Sequence, residues 1–138
     1  MNISAIIIVK TGQDLIADCL DSLGFCDEII VVDGGSEDKT IAIAEKKKAK
    51  VFKYEMQDFS ESRNFGLKKA EGDWVLYVDS DERITPELAV NIKRKILTDV
   101  NSGITAYKVL RKNYYLGENP WPYIEKLERL FKKDKLKG

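Results

Sequence analysis

The chain is 138 residues long, 43% hydrophobic and 33% charged, which fits one globular domain with room for a real core. Its 23 basic residues balance its 23 acidic ones, so no global field recruits nucleic acid, and no basic stripe interleaved with aromatics appears. There is no histidine, which excludes His-based triads, His-ligated metals and imidazole catalysis and leaves any chemistry to carboxylates, lysine, arginine, hydroxyls and backbone.

Met1-Asn2-Ile3-Ser4 leads directly into an apolar stretch with no basic n-region and no cleavage site, so no signal peptide is expected. No segment reaches the length of a membrane span. Ile3 to Val9 is a β-branched apolar run suited to a strand covered on both faces, broken by Lys10-Thr11-Gly12-Gln13. From Asp14, the spacing of Leu15, Ile16, Cys19, Leu20 and Leu23 predicts a helix, with Asp18 and Asp21 on its polar side and Gly24 at its exit. Cys19 then falls on the apolar side as a reduced, buried thiol, and with Cys26 as its sole companion neither a zinc site nor a disulfide framework is expected.

Glu28 to Asp33 is a second apolar strand closing on an acid. Gly34-Gly35-Ser36-Glu37-Asp38 follows, a loop whose glycines permit tight turning and close approach of backbone to a ligand. Asp38 or Ser36 can cap a helix predicted over Lys39 to Lys48, with Ile41, Ala42, Ala44 and Ala49 facing inward. Val51 to Tyr54 reads as a short third strand, and Ser60 to Ala70 as a helix with Phe59, Phe65, Leu67 and Ala70 as inward contacts.

After Gly72, the strand Trp74 to Val78 ends abruptly in Asp79-Ser80-Asp81-Glu82. Side chains alternate on an extended segment, so Asp79 and Asp81 point the same way if strand geometry persists through Ser80. Two convergent carboxylates there suit a hard cation such as Mg2+ or Mn2+. Thr85 caps and Pro86 opens a further helix running to about Asp99. Beyond it, Ile104 to Leu110 predicts a strand, Arg111-Lys112-Asn113 a polar break and Tyr114 to Leu116 a second extended piece. Gly117 to Tyr123 reads as an aromatic, proline-rich loop, and Leu127 to Phe131 as a final strand.

This alternation of strands and helices predicts an α/β fold, an open and mostly parallel sheet with helices on both faces. In such sheets ligands sit beyond the carboxyl ends of the strands, where strand order reverses. Lys10, Asp33 and the Asp79–Asp81 pair all lie at such ends, which makes that edge the expected site.

Taken in order, Ile6-Ile7-Ile8-Val9-Lys10, Val31-Val32-Asp33-Gly34-Gly35-Ser36-Glu37-Asp38-Lys39-Thr40, Arg63-Asn64-Phe65-Gly66 and Gly72-Asp73-Trp74-Val75-Leu76-Tyr77-Val78-Asp79-Ser80-Asp81-Glu82 resemble family 2 glycosyltransferases of the GT-A fold. The likeness is closer to the branch that includes bacterial lipopolysaccharide-core glucosyltransferases, which Arg111-Lys112-Asn113 and Arg129-Leu130-Phe131-Lys132-Lys133 also resemble. The resemblance implies a single Rossmann-like GT-A domain, with residues 1–100 binding the donor and 101–138 forming a partial acceptor-side β extension. It implies transfer of a sugar from a nucleotide-sugar, typically a UDP-sugar, to a saccharide or lipid-linked acceptor hydroxyl, with Mg2+ or Mn2+ and with inversion.

On that resemblance Asp33 accepts the uracil N3–H, and Lys10 and Arg63 lie beside the nucleotide. Asp79 contacts ribose or a metal-bound water, Asp81 ligates the metal, and the two together form the metal pair. The base that takes the acceptor's proton must be a carboxylate, Glu125 ahead of its rivals Glu118 and Glu128. A cytoplasmic protein is implied, working up to the inner face of the membrane in cell-envelope polysaccharide synthesis.

Two features depart from the pattern. Thr11-Gly12-Gln13 stands where relatives usually carry Asn-Glu after the first-strand lysine, and the chain stops at Gly138 where family members commonly continue, so a short or truncated form is expected. That leaves a second reading, a nucleotide-sugar-binding module without transfer, and room for a partner chain or a homodimer through uncovered C-terminal edge strands. A receiver domain would want an acidic pair after the first strand, and a nucleotidyltransferase a Gly-rich basic loop early in the chain; Val9-Lys10-Thr11-Gly12-Gln13 suits neither.

Overall fold

The computed structural model describes residues 2–55, 59–98, 106–115 and 119–132, the last two strands by their backbone and Leu130. Its elements are β1 Ile3–Val9, α1 Ile16–Asp21, β2 Glu28–Asp33, α2 Thr40–Lys46, β3 Lys50–Lys53, α3 Phe59–Lys69, β4 Trp74–Asp79, α4 Pro86–Thr98, β5 Ala106–Tyr115 and β6 Asn119–Lys132. They build one sheet in the order β3-β2-β1-β4-β6-β5. The four strands β1 to β4 are parallel, β6 is antiparallel to β4, and β5 is antiparallel to β6.

β1 is the central strand and all of its residues are buried, as its unbroken β-branched run requires. Alternation divides it between two cores. Ile3, Ala5, Ile7 and Val9 pack with Ile16, Cys19 and Leu20 of α1, Ala44 of α2, and Ile92 and Ile96 of α4. Ile6 and Ile8 pack on the other face with Leu67 of α3 and Ala70. Three helices therefore cover one face and α3 covers the other. Gly66 lets α3 lie close, because a Cβ there would stand 2.7 Å from Ile6 Cγ2 and 3.2 Å from Val32 Cγ2.

The α4 start follows the sequence signal, with the Leu88 amide donating to Thr85 Oγ1 at 3.2 Å and Pro86 at the first helical position. Other boundaries differ. α1 begins only at Ile16 because the Leu15 and Ile16 amides both turn back onto the Gly12 carbonyl, and Leu15 is left 52% exposed. In α2, Ala42 faces solvent, and Ile43 packs against the core beside buried Ala44. In α3, Leu67 and Ala70 are buried as expected and Phe65 is half-buried, while the Phe59 side chain lies outside the described residues.

The C-terminal part differs most. The polar break at Arg111-Lys112-Asn113 is strand, and the expected aromatic loop becomes strand from Asn119 onward, so β5 and β6 form one long ribbon. Register irregularities after Tyr107 and Lys112 absorb the misfit. β6 pairs with β4 only around Leu130, Phe131 and Lys132. Over the rest of its length only β5 lies beside it among the described residues, and a strand paired on one side tolerates Pro120 and Pro122, which lack a ladder donor. Leu116 to Glu118 lie outside the described residues. Among those described, no helix is long and apolar enough to cross a membrane.

Candidate functional site

Strand order reverses about β1, with β2 added on one side and β4 on the other, so a crevice is expected at their carboxyl ends. Register sets Val9 beside Asp33 and Ile8 beside Asp79. With strands ~4.8 Å apart, the backbones bearing the two acids stand about 10 Å apart across β1. Asp33 shares the row of Val9, on the α1–α2 face, and Asp79 shares the row of Ile8 and Tyr77, on the α3 face. The two carboxylates thus straddle the sheet edge.

Asp33 is 1% exposed. Its Oδ2 accepts the amides of Gly35 at 3.1 Å and Ser36 at 2.9 Å, a turn that Gly35 permits by adopting a φ of +115°. Its Oδ1 is buried with no partner among the described residues. Alongside opens a cavity of about 390 Å³, lined by Asp33, Gly35, Ser36, Ile41 of α2 and the Lys53-Tyr54-Glu55 corner that follows β3. The Tyr54 amide donates to the Asp33 carbonyl at 2.9 Å and fixes that corner. A bare buried carboxylate oxygen is costly unless something donates to it, and a carboxylate can only accept.

The loop after β1 is tied to the loop after β2. The amides of Thr11, Gly12 and Gln13 donate to Ser36 Oγ at 2.7 Å, Thr40 Oγ1 at 2.9 Å and Asp38 Oδ2 at 3.2 Å, and the Lys39 amide returns a bond to Gln13 Oε1 at 3.0 Å. Asp38 Oδ1 accepts both the hydroxyl and the amide of Thr40. The Thr40 hydroxyl, the Thr40 amide and the Gln13 amide hold the Asp38 carboxyl below its usual value. Lys10, at the head of this loop, is exposed.

The acidic turn departs from expectation. β4 ends at Asp79, the Glu82 amide donates to the Asp79 carbonyl at 2.9 Å, and Glu82 Oε1 accepts the Asp79 amide at 2.7 Å. Strand geometry therefore stops before Ser80, and the alternation that would align Asp79 with Asp81 does not apply. Asp79 is half-buried and Asp81 exposed. The turn rests on α1, with the Ile84 amide donating to Ser22 Oγ at 3.0 Å and the Cys19 thiol to the Asp79 carbonyl at 3.5 Å. Burial first, then the charges of Glu82, Asp81 and Asp79, push the Cys19 thiol up to about 12. Among the described residues, no group of three or more His, Cys, Asp or Glu could hold a metal ion. The donors present are oxygens, which suits Mg2+ or Mn2+ held by one or two carboxylates and completed by substrate phosphates.

Arg63 of α3 places its guanidinium over the Tyr77 ring, 5.0 Å from the centroid, on the same face as Asp79. Burial raises the Tyr77 hydroxyl's pKa and Arg63 opposes the shift. Glu125 lies on β6 in register with Arg111, and Glu128 with Lys108; Glu118 is outside the described residues. Because β6 is antiparallel to β4, the path back from Leu130 to Glu125 runs toward the carboxyl end of β4. The sequence reading weighed Ser36 and Asp38 only as helix caps and missed their grip on the first loop. The signal was there: Ser36, Asp38 and Thr40 are polar at every second position, facing a loop rich in free amides.

A doubly wound sheet extended by an antiparallel strand pair, with acids gathered where strand order reverses, has the architecture of the GT-A glycosyltransferases. The chain belongs to the family described as "Glycosyl transferase family 2", which matches residues 4–137. A TPR repeat-containing protein of Synechococcus elongatus is 35% identical over 132 residues, 94% of this chain and 31% of that one. The lipopolysaccharide core biosynthesis glycosyltransferase LpsC of Rhizobium meliloti is 28% identical over 123 residues, 83% of this chain and 44% of LpsC. The crystal structure of TarS 1-349 from S. aureus in complex with UDP-GlcNAc superposes with a TM-score of 0.69 at 29% identity, over 89% of this chain and 37% of that one. The chain spans less than half the length of these relatives.

Proposed function

We propose that the chain is the donor-binding part of a glycosyltransferase that takes a UDP-sugar and passes its sugar to a hydroxyl of a saccharide or lipid-linked acceptor. The observation that carries this reading is Asp33, whose bare, buried Oδ1 stands beside a cavity at the end of β2. That oxygen suits the N3–H of uracil and rejects cytosine, whose N3 is itself an acceptor. The UDP-GlcNAc complex of TarS supports a UDP donor, and the lipopolysaccharide role in the name of LpsC supports a cell-envelope setting.

With the base at Asp33, the diphosphate lies across the end of β1. Lys10 meets it from the first loop and Arg63 from α3. Asp79 and Asp81 are the residues that would hold Mg2+ or Mn2+, and the cation would neutralise charge growing on the leaving nucleoside diphosphate. Direct displacement with inversion needs a carboxylate to take the acceptor's proton. Glu125 is assigned that role because β6 carries its backbone toward the same edge.

The test is calorimetric titration of UDP with Mn2+, then with EDTA, for the wild type and for the Asp79→Ala, Asp81→Ala double variant. Binding that needs Mn2+ and vanishes in the double variant is the expected result. Equal binding by the variant removes the acidic turn from the site, and no UDP binding by the wild type under either condition sinks the reading. Release of UDP from UDP-sugars then separates transfer or hydrolysis from binding alone.

A further inference from the structure

Thr11 is β-branched yet sits at a φ of 61°, in the left-handed region that such residues avoid. Strain of this kind persists only where neighbouring contacts hold it, and it gathers at binding sites. The contact here is the bond from the Thr11 amide to Ser36 Oγ, the shortest of the three that join the two loops. Ser36 also reaches the other way. Its amide donates to Asp33 Oδ2 at 2.9 Å and the residue lines the cavity beside the bare Asp33 oxygen. One serine therefore joins the buried carboxylate to the twisted residue that sets how Lys10 leaves β1. Asp38 and Thr40 tie the same loops, but they act on Gln13 and Gly12, further from Lys10.

We propose that Ser36 is a positioning residue for nucleotide binding, its hydroxyl latching Thr11 in the left-handed conformation so that Lys10 is held toward the phosphates while Asp33 holds the base. This rests on the UDP-sugar reading above. Without the hydroxyl, Thr11 relaxes to negative φ, Lys10 swings away, and the pocket keeps Asp33 but loses its phosphate contact. Glycine at position 11 takes positive φ without strain and so needs no latch.

The experiment is calorimetry of UDP with Mn2+ on the full chain, with exchange of the Thr11 amide proton followed by NMR in the same samples. Ser36→Ala should weaken UDP about three- to tenfold, the range of one neutral hydrogen bond. Adding Thr11→Gly to Ser36→Ala should restore most of the loss, and in a Lys10→Ala background Ser36→Ala should have no further effect. Loss of Thr11 amide protection in Ser36→Ala with unchanged affinity overturns the positioning role and leaves the nucleotide reading standing. Weakened binding that Thr11→Gly does not restore also overturns it, since a merely misfolded loop behaves that way. A wild type that binds no UDP overturns the nucleotide reading and the latch's role with it.

Discussion

Asp33 is expensive to bury: one oxygen is satisfied by two amides and the other by nothing described. Asp33→Asn keeps the shape, removes the charge and can turn a donor toward the base. UDP affinity should fall about 10- to 100-fold, the worth of a hydrogen bond to a charged group. Thermal stability should hold or rise, because the bare carboxylate no longer has to be desolvated. An Asn variant that binds UDP as the wild type does would place the base elsewhere. The thiols make a second prediction at this scale. Burial, with Asp27 adding and Lys93 opposing, pushes Cys26 up to about 12, and burial with the acidic turn does the same to Cys19. Neither should react with a disulfide reagent at pH 8 in the native protein, and both should react in guanidinium. The place of Asp33 at the carboxyl end of β2 was legible in the sequence, because an acid that closes an apolar run marks where the strand leaves the core. The locked geometry after Asp79 was not, since Glu82 reaches back to the Asp79 amide through a turn that alternation cannot foresee.

Whole elements were legible where hydrophobicity alone decides them. β1, β2 and β4 are continuous apolar runs buried on both faces, and no other structure suits such runs at that length. The α4 start was written in Thr85-Pro86. β5 and β6 were read in part: Ala106 to Leu110, Tyr114-Tyr115 and Leu127 to Phe131 are strand as expected, whereas Arg111-Lys112-Asn113 and Pro120-Trp121-Pro122 were read as a break and a loop because their order comes from pairing of the two strands with each other. α3 offers the element-scale prediction. Gly66→Ala brings a Cβ to 2.7 Å from Ile6 Cγ2, on a branched side chain with little freedom to move. Overpacking of about 1–3 kcal/mol exceeds the gain in helix propensity of about 1 kcal/mol, so the variant should be net destabilised. A urea midpoint equal to or above that of the wild type would show that α3 stands further from the sheet than the structure places it.

At the scale of the molecule the sheet has a working edge and a holding edge. The carboxyl ends of β1, β2 and β4 carry Lys10, Asp33 and Asp79, while their amino ends are drawn together by Glu28. Glu28 Oε1 accepts the Ser4 hydroxyl at 2.7 Å and the Glu71 amide at 2.9 Å, and Oε2 meets Lys50 Nζ at 2.6 Å. Its side chain, 9% exposed, thereby links β1, β2, β3 and the entry to β4. Burial raises the pKa of this carboxyl, but the bonds from Lys50, the Glu71 amide and Ser4, with the Lys50 charge, outweigh it and set it below the usual value. The folded state then binds fewer protons than the unfolded state between the two pKa values. The stabilisation is complete above the unfolded value near pH 4 and is lost as pH falls through the lower folded value. Glu28→Gln retains part of the hydrogen bonding but no charge, so at pH 7 it should be less stable by about 1–2 kcal/mol. It should also lose less stability than the wild type when acidified from pH 6 to pH 3, as read from urea midpoints across that range. If both proteins fall in parallel on acidification, the acid-sensitive clamp is not Glu28, and the amino-terminal edge is held by packing alone.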